Sequence, residues 1–77
     1  MFRIRAFGND QQCTSVQALI EALRRDYSGK SVAIAYRTGP NRMLRTRFVD
    51  VLDDGHVIDS YGEQAPVDFD AMGNDAA

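Results

Sequence analysis

The sequence contains a single cysteine, Cys13, so no disulfide can form within the 77-residue chain. A lone cysteine excludes a small secreted scaffold held together by disulfides and is typical of a reducing compartment. A domain of this size buries only about 60% of the surface that its unfolded chain exposes. The margin of stability is therefore thin, and we expect dimerisation or docking on a partner to add to it.

Long apolar runs are also absent, since no segment approaches the roughly 18 apolar residues that a membrane span requires. The first seven residues alternate apolar side chains with Arg3 and Arg5. They lack the continuous apolar stretch of a secretory signal. The sequence therefore predicts a cytoplasmic protein without membrane contact.

No lysine or arginine follows residue 47. Residues 1–47 carry all nine basic side chains against three acidic ones, a net charge of +6, and residues 48–77 carry eight acidic side chains, a net charge of −8. Such segregation can direct a protein to a charged partner, or it can pair one half of the chain with the other. The isoelectric point near 5.1 argues against a general DNA binder, whose domain value usually exceeds about 9.

One segment has the periodicity of an amphipathic helix. Thr14 is the predicted N-cap, with Gln17 completing a capping box. Gly29 is suited to the left-handed position that ends a helix. The apolar stripe between them recurs at helical spacing and consists of Val16, Leu19, Ile20, Leu23 and Tyr27.

Alternation with a period of two predicts four strands, at about residues 2–7, 31–37, 42–52 and 56–61. A short fifth strand at residues 66–69 is an alternative that the sequence does not decide. Turns are predicted at Gly8-Asn9-Asp10, at Thr38-Gly39-Pro40-Asn41 and at Asp53-Asp54-Gly55. In the third strand the alternation is imperfect, which favours either a β-bulge near 46–49 or burial of both faces.

These elements predict an α+β fold in which a single helix packs on one face of a small antiparallel sheet, in the order β-α-β-β-β. Residues 1–70 form one domain, and residues 71–77 are expected to be a frayed tail. A small barrel is the alternative if the strands curl strongly. The helix should cover Phe2, Ile4, Val32, Ile34, Tyr36 and Phe48, leaving Arg3, Arg5, Ala33, Ala35 and Arg37 on the other face.

That second face is the first candidate site. Arg3 and Arg5 share one face of a strand, Arg45 and Arg47 share one face of another, and Arg37 joins them if the strands are neighbours. Guanidinium groups bind phosphate or carboxylate in bidentate fashion, so the surface could hold an acidic partner. The alternative is a solvated face on which the arginines pair with Asp50, Asp59 and Asp68.

The acidic second half of the chain is the other candidate. Asp53, Asp54 and Asp59 lie around the second predicted hairpin, where a run of carboxylates can imitate a phosphate backbone. They would then occupy the basic groove of a nucleic-acid-handling protein. The alternative is a soluble edge that keeps the sheet from pairing with other sheets.

Signals for chemistry are weak. Counted from Asp50, the acidic segment lacks the third-position ligand and the closing glutamate of a calcium loop, so no metal is predicted. Cys13 and His56 are the only thiol and the only imidazole, but no oxyanion-hole motif or glycine-rich phosphate loop accompanies them. We predict no catalytic residue, no cofactor and no enzyme, with a Cys/His enzyme as the weakest alternative.

The middle of the chain, VAIAYRTGPNRMLRTRFVDVLDDGHVI at 32–58 followed by Tyr61 and VDFD at 67–70, resembles the small Sm-like barrels called WYL domains. The resemblance implies a regulatory module that senses nucleic acid or a nucleotide through basic residues. The Trp-Tyr-Leu triplet of that family is absent, with His56-Val57-Ile58 in its neighbourhood, and Asp68 replaces the basic residue before the late Phe. No site residue is carried over from the family.

In type, the chain is similar to the small acidic accessory proteins of bacteriophages and mobile elements, which include inhibitors of host defence systems such as CRISPR. We therefore predict a non-enzymatic module that binds a protein, with inhibition of a host nucleic-acid-handling complex as one form of that role. A nucleic-acid or nucleotide sensor that uses the arginine face is the alternative. Formation of a homodimer is a further alternative that the sequence does not decide.

Overall fold

The computed structural model describes residues 1–76, and Ala77, the end of the predicted tail, lies outside the described residues. The elements are β1 (Phe2–Ala6), β2 (Asn9–Cys13), α1 (Val16–Asp26), β3 (Ser31–Thr38), β4 (Met43–Val51), β5 (Val57–Asp59) and α2 (Phe69–Ala76). The strands form one antiparallel sheet in the order β2-β1-β3-β4-β5. The predicted α+β class is confirmed, and the sheet is open rather than closed into a barrel.

The N-cap of helix α1 lies one residue later than predicted. Ser15, not Thr14, is the N-cap, because its backbone is extended (φ −146°, ψ 164°) and its hydroxyl accepts a hydrogen bond from the Ala18 amide at 3.1 Å. An N-cap side chain must reach an amide two or three residues ahead, which this geometry allows. Gly29 has φ +77° beyond the end of the helix, as its predicted role requires.

Strand β2 was not predicted. The β1–β2 hairpin turns at Phe7 and Gly8, whose φ angles of 53° and 79° are both positive, so the turn starts one residue before the predicted Gly8-Asn9-Asp10. Two positive φ angles are typical of the tight turns that match the twist of a hairpin. The strand that follows reads Asn-Asp-Gln-Gln-Cys, and these polar residues rarely favour strands. Strand β2 therefore forms because it pairs with β1 along its whole length.

The predicted frayed tail is wrong, because residues 69–76 form helix α2. The Asp68 carboxylate caps this helix by accepting a hydrogen bond from the Ala71 amide at 3.0 Å. Met72 is fully buried in the core that α1 shares with the sheet. The short strand predicted at 66–69 is reduced to a single bridge between Pro66 and Ile58.

Strand β4 pairs with β3 in one continuous register from Met43 to Asp50, without the bulge that its sequence suggested. Val49 therefore faces the helices and is fully buried, whereas Phe48 points to the opposite face and is half exposed. The predicted packing of Phe48 against the helix is wrong for this reason. The core between the helices and the sheet centres on Ile4, Ile34, Leu19, Leu23 and Val49.

Within residues 1–76, the structure contains no helix with the length and apolar character needed to cross a membrane.

Candidate functional site

The face of the sheet turned away from α1 and α2 is here called the open face. The register places Arg3 opposite Ala35 and Arg5 opposite Ala33, as predicted from their alternation. Strand β4 adds a row of its own beside them. The open face consists of Arg3 and Arg5 from β1, Ala33, Ala35 and Arg37 from β3, and Leu44, Thr46 and Phe48 from β4.

Four arginines line one depression of about 460 Å³ on this face. Arg3, Arg5 and Arg37 come from the strands, and Arg42 comes from the β3–β4 turn. We call this depression the arginine groove, and Ala35 lies in its wall. Arg42 was not among the predicted site residues, since a turn position carries no periodicity that could have assigned it to a face.

The arginine charges in the groove are only weakly compensated. Arg5 lies 3.9 Å from Asp10, and both side chains are about half exposed, so the pair contributes little. Arg37 donates to the backbone oxygen of Arg42 at 3.0 Å, a contact that leaves its charge in place. For Arg3, no carboxylate among residues 1–76 lies within ion-pair distance of the guanidinium.

Arg45 and Arg47 do not join the groove. The register places them opposite Tyr36 and Ile34, which is the other side of the sheet. Arg47 donates to the Asp59 carboxylate at 2.8 Å, and each side chain is about one-third exposed. Two predicted partner-binding residues are thus paired with each other. Arg45 is exposed beside the end of α2.

The other two carboxylates that could have paired with arginines are engaged elsewhere. Asp50 accepts hydrogen bonds from the hydroxyls of Ser31 at 2.6 Å and Ser60 at 2.7 Å. The hydrogen bond from Ser31 lowers the pKa of Asp50 most, and the hydrogen bond from Ser60 lowers it further. Asp68 caps α2. Within residues 48–76, Asp59 alone forms an ion pair with an arginine.

The acidic hairpin between β4 and β5 is exposed. The Asp54 carboxylate accepts from the His56 amide at 3.0 Å and lies 2.9 Å from His56 Nδ1. The hydrogen bond from the His56 amide, and to a smaller extent the one with the His56 imidazole, lowers the pKa of Asp54 below its usual value. Asp53 lies against Gly29, where an added Cβ would approach its Oδ1 to 2.7 Å. Asp53 and Asp54 are both exposed, whereas Asp59 is half-buried.

The open face also carries exposed apolar side chains, Leu44 in the lining of the groove and Phe48 beyond it. Leu44 is 55% exposed and Phe48 is 50% exposed. The Phe48 ring meets Tyr61, itself 72% exposed, edge to face at 5.7 Å between ring centres. Leu44 and Phe48 were not predicted on this face. A strict period of two along β4, read with Val49 and Val51 as the buried set, would have found them.

The two groups considered for catalysis are far apart in the fold. Cys13 ends β2 at one edge of the sheet, and His56 precedes β5 at the other edge. Cys13 is buried, and this burial raises the pKa of its thiol. Across residues 1–76, no three His, Cys, Asp or Glu side chains converge as they would around a metal ion.

A comparison of the chain with protein-family models, with curated proteins and with solved structures finds no match. The resemblance to WYL domains therefore stays a prediction. The open face is interpreted from its own geometry and charge.

Proposed function

We propose that the protein is a non-enzymatic binding module that docks on another protein through its open face. The observation that carries this proposal is the juxtaposition of weakly compensated arginines with half-exposed Leu44 and Phe48 on the side of the sheet without helices. Arginine and aromatic side chains are enriched at the centres of protein interfaces. On a face that only contacts water, polar side chains would be more favourable at positions 44 and 48 than Leu44 and Phe48.

A module of this kind acts by occupying a surface of its partner rather than by chemistry. Inhibition of a host nucleic-acid-handling complex is one form that such occupancy can take. The exposed carboxylates of Asp53 and Asp54 support it, since a basic groove on that complex is a complementary surface for them. They lie on a different part of the surface from the arginine groove, so the two contacts can be tested separately.

The test is a capture experiment from a lysate of the source organism, with and without nuclease. Bait variants are Arg3→Glu and Phe48→Asp on the open face, and Asp53→Lys combined with Asp54→Lys on the hairpin. Arg25→Glu is the matched control, because it makes the same charge change on exposed helix α1 at the opposite side of the molecule. Thermal unfolding of each bait reports whether it is folded.

We expect both open-face variants to lose a nuclease-resistant partner while their melting temperatures stay within about 4 °C of the parent, which is under 1 kcal/mol for a domain of this size. The control should retain the partner. Capture that survives both open-face substitutions would refute the proposal. Loss of capture with the hairpin variant alone would assign docking to the acidic hairpin instead.

A single-stranded nucleic acid is the second candidate partner, and one observation favours it. Phe48, paired with Tyr61, presents aromatic surface on the same face of the sheet as Arg3 and Arg5. Bases stack on such side chains while arginines hold the phosphates. This alternative predicts that affinity for an oligonucleotide falls steeply with salt. A gel-shift series without binding at low salt would eliminate it.

A further inference from the structure

The open face has the form of a trough that runs along β3. Ala33 and Ala35 form its floor because their side chains end at the Cβ atom. Arg3 and Arg5 on β1 rise on one side, and Leu44, Thr46 and Phe48 on β4 rise on the other. Arg37 on β3 lies beside Leu44 and closes that end of the trough. Neighbouring strands are about 4.8 Å apart, so the two walls stand about 10 Å apart.

The two walls differ in chemistry. The β1 wall is cationic. The β4 wall is largely apolar, with Thr46 between Leu44 and Phe48 and an aromatic end formed by Phe48 and Tyr61. An occupant that satisfies both walls must present carboxylates along one side and apolar side chains along the other. An extended peptide can reach both walls only when it stands on edge, with its two rows of side chains turned to the two walls. Its backbone N–H and C=O groups would then face the alanine floor without hydrogen-bond partners, which is unfavourable. A helix can satisfy both walls without this cost, because its side chains project all round its axis.

The dimensions also suit a helix. A helix with its side chains is about 10–12 Å wide, close to the distance between the backbones of β1 and β4, so a helix lying above the alanine floor would contact side chains of both walls. Carboxylates at positions i and i+4 lie about 6 Å apart along a helix, and Arg3 and Arg5, two residues apart on a strand, lie about 7 Å apart. One face of an acidic helix would therefore meet both guanidinium groups.

We infer that the partner segment is an acidic amphipathic helix, lying along β3 with its carboxylates on Arg3 and Arg5 and its apolar side chains on Leu44 and Phe48. The inference rests on the proposed function of the open face and specifies the chemistry of its occupant. A polyanion such as nucleic acid is less suited, because Asp10 and Asp50 border the trough and the chain as a whole carries a charge of −2. An amphipathic helix carries its carboxylates on one side only, so it can turn them toward the arginines and away from Asp50.

The test is selection from a displayed library of random peptides, each about 20 residues and so about 30 Å long when helical. The library is selected on the full chain and counter-selected on the bare support that holds it. The enriched peptides are then synthesised with a fluorescent label, and binding is measured by anisotropy. An oligothymidine of about 15 nucleotides, enough to span a typical single-strand site, is measured beside them.

We expect the enriched peptides to carry Asp or Glu at i and i+4 beside an apolar stripe, and to become helical when bound. Two variants should each weaken binding at least about tenfold, the equivalent of about 1.4 kcal/mol. These are Arg3→Glu on the cationic wall and Leu44→Asp on the apolar wall. Their matched controls are Arg25→Glu on α1 and Met43→Asp, which changes an equally exposed side chain on the other face of β4. Both controls should bind as the parent does.

Failure to enrich any peptide, enrichment of neutral or basic peptides, or equal binding by the Arg3→Glu variant would each overturn the inference. Stronger binding of the oligothymidine would name nucleic acid as the occupant, and a dimer lost on Leu44→Asp would name a second copy of the chain. The proposed function survives these results if lysate capture still depends on the open face. Should Arg3→Glu unfold the protein, Arg3→Gln removes the charge with a smaller change of side chain.

Discussion

Phe7 holds a left-handed backbone conformation, with φ 53°, at the tip of the β1–β2 hairpin. A residue with a Cβ atom adopts this conformation at a cost of about 1–2 kcal/mol, and only glycine and, less readily, asparagine or aspartate visit it routinely. The Phe7 ring is 70% exposed, so burial does not repay that cost. Lys30 lies over the ring at 5.3 Å, a contact worth about 0.5–1 kcal/mol at an exposed site.

We therefore predict that Phe7→Asn raises the free energy of unfolding by about 0.5–1 kcal/mol, since asparagine tolerates the left-handed region better. Chemical unfolding monitored by circular dichroism measures it. Phe7→Leu, which keeps the strain and removes the ring, is the control and should not be stabilised. A less stable asparagine variant would mean that the contact with Lys30 outweighs the backbone strain.

Asp50 makes a contribution to stability that should depend on pH. Because hydroxyl bonds from Ser31 and Ser60 lower its folded-state pKa, its contribution to stability is complete above the unfolded-state value of about 4. The contribution is lost as the pH falls through the lowered folded-state pKa. Ser31→Ala combined with Ser60→Ala should thus reduce stability at neutral pH.

That difference between parent and double variant should shrink as the pH is lowered from about 5 to about 2. Urea unfolding midpoints across this range measure it, and both proteins retain Asp54, whose lowered pKa acts equally in each. A difference that stays constant with pH would show that the serines act through packing rather than through the charge of Asp50.

At the scale of elements, α2 approaches α1 closely through Gly73. A Cβ atom at this position would lie 2.8 Å from Cγ2 of Val16. Alanine favours a helix interior over glycine by about 1 kcal/mol, but forcing an atom into a filled space usually costs about 1–3 kcal/mol. We expect Gly73→Ala to lower the melting temperature.

Val16→Ala removes the obstructing methyl group and should restore stability when it is combined with Gly73→Ala. A double-mutant cycle from thermal unfolding separates this specific coupling from two independent effects. If Gly73→Ala instead raises the melting temperature, helix propensity outweighs the contact, and the two helices separate more readily than their packing indicates.

Elements differ in how far their sequences predict them. The amphipathic spacing of α1 and the alternation of β1 and β3 locate these elements within one or two residues. Strand β2 has no such pattern, because an edge strand of polar residues forms through pairing with β1 rather than through its own propensity. Helix α2 did carry a signal: Asp68 is followed by Phe69, Met72 and Ala76 at helical spacing.

The candidate site was predictable to a similar degree. Alternation alone placed Arg3, Arg5 and Arg37 on one face. Arg45 and Arg47 were placed wrongly with them, because a slip of one residue in the register of β4 moves each of its side chains to the other face. The pairing of Arg47 with Asp59 depends on that register and on the position of β5, neither of which the local sequence determines.

At the scale of the whole molecule, the core depends on its C-terminal segment. Val67 and Met72 are both buried against elements from the first half of the chain. A chain that ends at Gln64 would lose these side chains and uncover one side of the core. Truncating even one such side chain usually costs about 2–5 kcal/mol.

Since domains have only about 5–15 kcal/mol of stability in total, we predict that the truncated chain loses its cooperative thermal transition. Differential scanning calorimetry checks this. The single substitution Met72→Ala should leave a transition at lower temperature, which shows that the truncation acts through the core. A truncated chain with an unchanged melting temperature would contradict the packing described for α2.

The two faces of the sheet place different demands on the side chains that they carry. Side chains that face the helices must keep their volume, whereas those on the far side can be exchanged with little effect on folding. A lineage that carries this chain can thus acquire new specificity by replacing a handful of surface positions, without first passing through unstable ancestors. The same separation would let an engineer retarget the scaffold while leaving its interior untouched.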